Sequence, residues 1–240
     1  MTRDPRPLEG IFAVVTGATR GIGRAVSVGL AGAGARVALL ARDPDALARV
    51  ARETQGRAFP CDVTDPGALE RVRDDAMAWG GGSPDLLVTS AGVFDLGPIE
   101  SLSVAVLDRN LGVNLRGGIL SVRAFLPGML AARRGTIVQV GSVAGRRAFP
   151  GNGVYAASKF GLRGFHEVLL EEIRGTGIRA TLLEPAATDT AIWDPMDPDG
   201  SESLPNRAAM LDPSTVAEAV LFVVTRPEGV QVPFLPIERS

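Results

Sequence analysis

The sequence predicts an α/β protein built on a parallel sheet with helices on both faces. Short apolar runs alternate with stretches of helical spacing along nearly the whole chain, the order required when parallel strands are joined by helical crossovers. The strand candidates are continuous apolar runs, as strands covered on both faces should be. At 240 residues and 45% apolar content the chain can fill a substantial core, and it reads as one domain over 1–240.

The elements follow in order. Ile11 to Thr16 is an apolar run broken at Gly17, a buried strand. Helical spacing runs from Ile22 to Ala33. Arg36 to Ala41 is the second strand, Asp45 to Thr54 the second helix, and Arg57 to Pro60 a third, short strand. The turn signal Asp65-Pro66-Gly67 opens a helix that runs to Trp79. Leu86 to Thr89 is the fourth strand. Val104 to Ala132 holds one long helix, with Gly117-Gly118 as the place for a bend. Thr136 to Val140 is the fifth strand, Val154 to Arg174 a helix, and Ile178 to Leu183 the sixth strand. Pro185 to Pro213 is one long irregular stretch rich in Pro and Asp. Stretches of that length in a compact domain are usually functional or mobile, so a lid over the site is expected at about 186–212, with room for a short helix.

Composition narrows the function classes. Charged residues make up 22% and nearly cancel, leaving a net charge of -2, which gives no electrostatic reason to bind nucleic acid or an anionic membrane. No apolar run approaches the roughly 20 residues that span a bilayer. The start, Met1 to Pro7, is charged and proline-rich, without the apolar core of a signal peptide. The single cysteine, Cys61, excludes an internal disulfide and fits a reducing compartment. A cytoplasmic protein with no metal site is the expectation.

Gly17, Thr19, Arg20, Gly21, Ile22 and Gly23 sit where the first strand turns into the first helix. Glycines there let the backbone turn tightly and approach a pyrophosphate, and the helix start offers free N–H groups and a partial positive charge. The end of the second strand reports on which dinucleotide binds. An acidic side chain there would hold the adenosine ribose hydroxyls and repel a 2′-phosphate. Here Ala41 is followed by Arg42, and Arg20 could reach the same phosphate, a pairing that favours NADP(H) over NAD. Asp43 leaves the other reading open, because a shift of the strand end would make it the ribose acceptor.

Tyr155 and Lys159 are four residues apart on a predicted helix and share a face. A free phenol, with a pKa of about 10, is a poor base near neutrality. A neighbouring ammonium favours the phenolate. Ser142 lies just past the fifth strand, at the carboxyl edge where open α/β sheets bind ligands, and its hydroxyl could hold a substrate oxygen.

These residues belong to a wider pattern: TGATRGIG at 16–23, CDVTD at 61–65, SAG at 90–92, NLGVN at 110–114, GSVAG at 141–145, YAASK at 155–159 and EPAATDT at 184–190. On these segments the chain resembles the short-chain dehydrogenases/reductases over nearly its whole length. The resemblance implies a Rossmann-like, doubly wound parallel sheet of about seven strands and hydride transfer between NADP(H) and a carbonyl or secondary alcohol. It implies Tyr155 as the acid–base, Lys159 lowering its pKa and binding the nicotinamide ribose, Ser142 orienting the substrate, and Asn114 completing a proton relay through water. Asp62 would contact the adenine amine beside the Val63 backbone, and Ser90, Ala91 and Gly92 would lie along the adenosine ribose. Homodimers or homotetramers would form through the helices at 104–132 and 154–174, the second offering Phe160, Phe165, Val168 and Leu169.

Three departures stand out. Thr89-Ser90-Ala91-Gly92 replaces the usual Asn-Asn-Ala-Gly, which should keep the fold and alter detail. Pro185-Ala186 replaces Pro-Gly and puts a side chain near the nicotinamide, with Thr188 and Thr190 left to bond the carboxamide. The ending, Pro227 to Ser240, lacks the common Val-Asp-Gly-Gly and is similar to that of NADP-dependent hydroxy-acid and carbonyl reductases, with Gln231 to Leu235 as the last strand.

Around the expected pocket, Phe94, Val143, Phe149, Ile192, Trp193 and Met196 could cap an apolar substrate or simply pin the chain to the body. His166, the only histidine, should point away from the site, and Cys61 should be a small core residue. Two other activities compete. A 3-oxoacyl reductase acting on carrier-protein thioesters would use Arg133, Arg134 and Arg174 as a basic patch, although Asp194, Asp197, Asp199 and Glu202 would repel an acidic carrier. A sensor of the NADPH/NADP ratio would need no chemistry, yet such relatives usually lose the tyrosine or the lysine, and this chain has both.

Overall fold

The computed structural model describes residues 6–240, so most of the charged Met1 to Pro7 start lies outside the described residues. Seven strands form one sheet: β1 (Phe12–Thr16), β2 (Arg36–Ala41), β3 (Arg57–Pro60), β4 (Leu86–Thr89), β5 (Gly135–Val140), β6 (Ile178–Pro185) and β7 (Phe234–Ile237). Their spatial order is β3-β2-β1-β4-β5-β6-β7, and every neighbouring pair is parallel. The chain winds outward from β1 to β3, then crosses to β4 and winds the other way. The strand order therefore reverses between β1 and β4, where open α/β sheets leave a crevice above the carboxyl ends of the strands.

Side-chain alternation along each strand builds two cores. In β1, Ala13 and Val15 face one side and Phe12 and Val14 the other. In β2, Val37 and Leu39 oppose Ala38 and Leu40. The first face is covered by α1 (Gly21–Gly32), α2 (Pro44–Thr54) and α7 (Pro213–Val224), through residues such as Val26, Leu30, Leu47 and Val216. The second is covered by α3 (Pro66–Gly80), α5 (Gly118–Ala132) and α6 (Gly153–Glu172), through Leu69, Val72, Phe125 and Leu169. Both faces being apolar is why the strands read as unbroken runs.

Three helices start alike. Asp43, Asp65 and Asp212 each cap a helix through the side chain, and Pro44, Pro66 and Pro213 each take the first helical position, where a missing N–H costs nothing and φ is already set. The long helix expected over 104–132 is α4 (Val104–Asn110), a π-helical segment over Leu111–Gly117, and α5. The irregularity therefore lies ahead of Gly118, and it holds Asn114.

The structure corrects three further expectations. The sequence reading places no element between Pro213 and Pro227, where α7 forms. The last strand is Phe234–Ile237, shifted along from Gln231–Leu235. The stretch after β6 holds three short 3₁₀ turns, Ala191–Met196, Pro198–Gly200 and Arg207–Ala209. Its two ends are joined: Asp189 N–H donates to the Leu211 carbonyl, and Leu211 N–H to that of Ala187, both at 2.8 Å. Among the described residues no helix is long and apolar enough to cross a membrane, and no group of His, Cys, Asp and Glu could hold a metal ion.

Candidate active site

At the carboxyl end of β1 the chain turns through Gly17 to start α1 at Gly21. Gly17 has φ +68 and Gly21 φ +52, the left-handed region that side chains resist. A Cβ on Gly17 would meet Ala91 Cα at 2.7 Å, and one on Gly23 would meet the Gly17 carbonyl oxygen at 2.2 Å. Loop, first helical turn and the end of β4 thus pack backbone against backbone. Thr16 Oγ1 accepts the Ser90 and Ala91 N–H groups at 3.1 and 3.3 Å, so the turn after β4 is held from β1, whatever stands at 89 and 90. Arg20 provides no side-chain cap for α1, and no acidic residue occupies its first turn. The exposed N–H groups and positive end of the helix suit an anion.

A cavity of about 1610 Å³ runs along this edge of the sheet. Every sequence-predicted cofactor or substrate residue lines it: Gly17, Thr19, Arg20, Gly21, Ile22, Gly23, Arg42, Asp62, Val63, Ser90, Ala91, Gly92, Phe94, Ser142, Val143, Phe149, Tyr155, Lys159, Pro185, Ala186, Thr188, Thr190, Ile192 and Trp193. Asn114 is not among its lining residues and is 2% exposed. Its Oδ1 accepts the Val93 N–H at 2.8 Å, and its Nδ2 donates to the Val93 carbonyl at 2.9 Å and to Ser158 Oγ at 3.1 Å. This side chain ties the turn after β4 to α6.

Ser142 opens the turn after β5, where its Oγ accepts the Ala144 N–H at 3.1 Å, and its hydroxyl faces the Tyr155 phenol on the same wall of the cavity. Lys159 lies one helical turn beyond Tyr155, with Nζ 5.6 Å from the centre of the phenol ring. Nζ donates to the Val140 carbonyl at 2.9 Å. Burial pushes the Tyr155 phenol above its ordinary value, and the nearby Ser142 hydroxyl pulls it back only in part. Burial also brings Lys159 down to about 8.

At the adenosine end Asp43 Oδ1 accepts the Asp45 and Ala46 N–H groups, both at 3.0 Å, and caps α2. Arg42, Arg20 and Asp43 all line the cavity there. Burial raises the Asp62 carboxyl, but the Thr64 N–H and hydroxyl bonds and the charge of Arg42 outweigh it and leave it below the ordinary range.

At the other end three rings meet edge to face. Phe94 lies 4.7 Å from Tyr155 and 4.8 Å from Trp193, centre to centre, and Trp193 Nε1 donates to the Thr188 carbonyl at 3.1 Å. Thr188 gives its hydroxyl to the Ala186 carbonyl at 3.0 Å, and Thr190 Oγ1 accepts the Ile192 N–H at 3.4 Å. Arg207 gathers Asp189 at 2.5 Å, Asp194 at 2.6 Å and Asp199, whose Oδ1 accepts the Arg207 N–H at 2.8 Å.

Sequence reasoning misses several wall residues, among them Arg49, Leu96, Arg147, Asn152, Leu204 and Glu238. Arg147 lies five residues past Ser142, close enough to have been found; Glu238 is brought in only by the register of β7. A buried carboxylate is also missed. Glu184, 1% exposed, accepts from Arg163 Nη1 at 2.6 Å, and Arg146 Nε lies 3.7 Å away. Arg146 in turn pairs with Glu238. His166 is fully buried, with Nδ1 3.0 Å from the Gln139 amide and Nε2 2.9 Å from the Pro233 carbonyl. Cys61 is 5% exposed in the core.

The basic patch expected for a carrier protein is not at the cavity. Arg133 and Arg134 precede β5 and Arg174 precedes β6, at the opposite edge of the sheet. Arg134 pairs with Asp85 and Arg174 with Glu171. On α6, Leu169 is buried in the core while Phe160 and Val168 remain exposed.

Comparison with known proteins follows this geometry. The family model for short chain dehydrogenase matches residues 12–200. D-threitol dehydrogenase of Mycolicibacterium smegmatis is 37% identical over 227 residues, covering 91% of this chain and 87% of the relative. Glycine betaine reductase ATRR of Emericella nidulans is 37% identical over 242 residues, but the match spans 97% of this chain and only 19% of that protein. A crystal structure of a metagenomic short-chain oxidoreductase in complex with NADP shares 32% identity at a TM-score of 0.83, over 98% of this chain and 99% of the other.

Proposed function

The chain belongs to the short chain dehydrogenase family, and on that premise we propose that it transfers hydride between NADP(H) and a carbonyl or secondary alcohol, with Tyr155 as the acid–base. The observation that carries this reading is the gathering of Ser142, Tyr155 and Lys159, its Nζ 5.6 Å from the phenol ring, on the wall of one cavity that also takes in the glycine loop.

The residues fit the cofactor. The uncapped start of α1, with Gly17 to Gly23 packed tightly below it, suits a pyrophosphate. Arg20 and Arg42 would hold a 2′-phosphate, while Asp43 turns one carboxylate oxygen to the cap of α2. Ser90, Ala91, Gly92, Asp62 and Val63 line the adenosine side; Pro185, Ala186, Thr188 and Thr190 line the nicotinamide side. When bound, the cofactor supplies or accepts the hydride at the carbonyl carbon.

In reduction the phenol of Tyr155 gives its proton to the carbonyl oxygen as that oxygen takes the electron pair of the broken C=O π bond. Ser142 donates to the same oxygen. Lys159 stabilises the phenolate left behind and holds the nicotinamide ribose. In oxidation the phenolate removes the alcohol proton. Positioning and fixed charge supply most of the rate. Asn114 would complete the proton relay through water, held in place by its side-chain bonds to Val93 and Ser158.

The rest of the reading follows. Residues 186–212 form a lid on one domain, whose ends are joined at Ala187, Asp189 and Leu211 and whose acidic residues gather on Arg207. The enzyme is a cytoplasmic homo-oligomer, supported by exposed Val104, Phe160 and Val168 on α4 and α6. Paired arginines at the far edge of the sheet speak against a carrier-protein substrate, and the intact Ser142, Tyr155 and Lys159 speak against a silent sensor.

Consumption of NADPH and NADH against a panel of ketones tests this. NADPH should be preferred, and Arg42→Ala should weaken NADPH about tenfold or more while leaving NADH nearly unchanged, the scale of one lost charge-assisted bond. No turnover with either cofactor across carbonyls and alcohols would refute the reading.

A further inference from the structure

We propose that the substrate is a bulky apolar ketone or its secondary alcohol, of alicyclic or aryl type, rather than a polyol. The inference rests on the hydride-transfer reading above and identifies the class of molecule it serves.

Tyr155 stands against an aromatic wall. Phe94 stands edge-on to its ring at 4.7 Å, and Trp193 stands edge-on to Phe94 at 4.8 Å. Ile192 and Met196 sit on the same 3₁₀ turn as Trp193, and Leu204 enters from the next part of that segment. All of them line the cavity. Phe94, Ile192, Met196 and Leu204 keep partial exposure, so apolar surface remains open beside the phenol. A flat or cyclic hydrocarbon would cover it, which is where apolar burial favours binding.

Hydrogen-bond accounting points the same way. The Ser142 and Tyr155 hydroxyls converge on one oxygen, the reacting one. Trp193 Nε1 is already given to the Thr188 carbonyl at 3.1 Å, and the Thr188 hydroxyl to the Ala186 carbonyl. Arg147 lies over the exposed Phe149 ring, at the outer part of the wall. The Asn152 side chain, three residues before Tyr155, is the one further amide in this part of the wall. A tetritol brings three hydroxyls besides the reacting one. Beside the phenol the open wall is Phe94, Ile192, Met196 and Leu204, while Asn152, Arg147, Ser203 and Glu238 supply the polar groups elsewhere in the lining; hydroxyls set against the apolar part would be left unpaired, which weighs against a ligand. The relative that acts on D-threitol shares the sheet and family, while selection here rests on Phe94, Trp193 and Ile192.

The reaction balances as ketone plus NADPH plus a proton giving secondary alcohol plus NADP⁺. Two readouts test the class. First, kcat/KM with NADPH is measured for 2-tetralone and for erythrulose, the ketose that oxidation of a tetritol yields. The ketone should be favoured by about a hundredfold or more, and Trp193→Ala should raise its KM at least several-fold with a smaller change in kcat. Second, tryptophan emission is titrated with each compound. Trp193 lies in the box and Trp79 packs far from it on Phe12 and Phe59. 2-Tetralone should change the emission, erythrulose should not, and Trp193→Phe should abolish the change. Equal or better turnover of erythrulose overturns the proposal, as does a Trp193→Ala variant with an unchanged KM for the ketone. An emission change without turnover of any compound upholds the apolar class and refutes hydride transfer, while neither turnover nor an emission change refutes both.

Discussion

At the scale of single residues, burial decides the chemistry more than sequence neighbours do. His166 is fully buried, and burial brings its pKa from 6.5 to about 4, the Pro233 bond and nearby charges mattering less. A neutral imidazole donates Nε2–H to Pro233 and accepts at Nδ1 if the Gln139 amide, whose Oε1 lies 3.0 Å away, is turned to present its NH₂. The sign is fixed by linkage. Between pH 6.5 and 4 the unfolded chain takes up a proton that the folded chain refuses, so the contribution is complete above pH 6.5 and lost as pH falls toward 4. The full effect is about 3 kcal/mol. Urea unfolding from pH 7 to 4.5 should show this loss, and His166→Gln should flatten it; an unchanged slope would mean the imidazole is not held neutral. The neighbourhood of Ser142, Tyr155 and Lys159 was legible because strand ends and a one-turn spacing place them. The burial of the phenol and the bonds of Asn114 to Val93 and Ser158 were not, since each depends on what packs around the group from distant parts of the chain.

At the scale of elements, local signals gave most boundaries. Asp65-Pro66 announces α3, and the same Asp-Pro pair opens α7 at Asp212-Pro213, followed by Val216, Val220 and Val223 on the buried side. The signal for α7 was therefore present, obscured by the proline-rich run before it. The π segment over Leu111–Gly117 had no such signal. Glycines suggest a bend, but the extra backbone residue per turn is set by packing around Asn114 and α6. Such segments recur at functional sites, and this one supports the turn beside the cavity. The end of β6 is held in another way, by Glu184 between Arg163 of α6 and Arg146 of the turn that carries Ser142. Removing the carboxylate takes the buried partner from two guanidiniums, leaving Arg163 on Glu167 and Arg146 on Glu238. Glu184→Ala should lower stability by about 3 kcal/mol, the low end for a broken buried pair because both arginines keep contact with solvent. A loss under about 1 kcal/mol in denaturant unfolding would show that the clamp contributes little.

At the scale of the whole molecule, the sheet and its two apolar faces were readable because a parallel strand covered on both sides leaves an unbroken apolar run. Where the strand order reverses was not readable from runs alone; the topology brings Gly17 and Ala91 within contact across it. That reversal creates the cavity, and β5, α6 and the segment after β6 supply its other walls. The shape of the 186–212 segment was the least legible part, since Arg207 pairs with carboxylates up to eighteen residues away. The central claim is that the phenol oxygen of Tyr155 moves the proton in this cavity. Tyr155→Phe tests it most directly, because the ring that packs on Phe94 remains and only the hydroxyl is lost. NADPH affinity measured by calorimetry should stay close to that of the unaltered protein, while kcat with a ketone substrate should fall a hundred- to ten-thousand-fold. Turnover near the original rate in that variant would contradict the account.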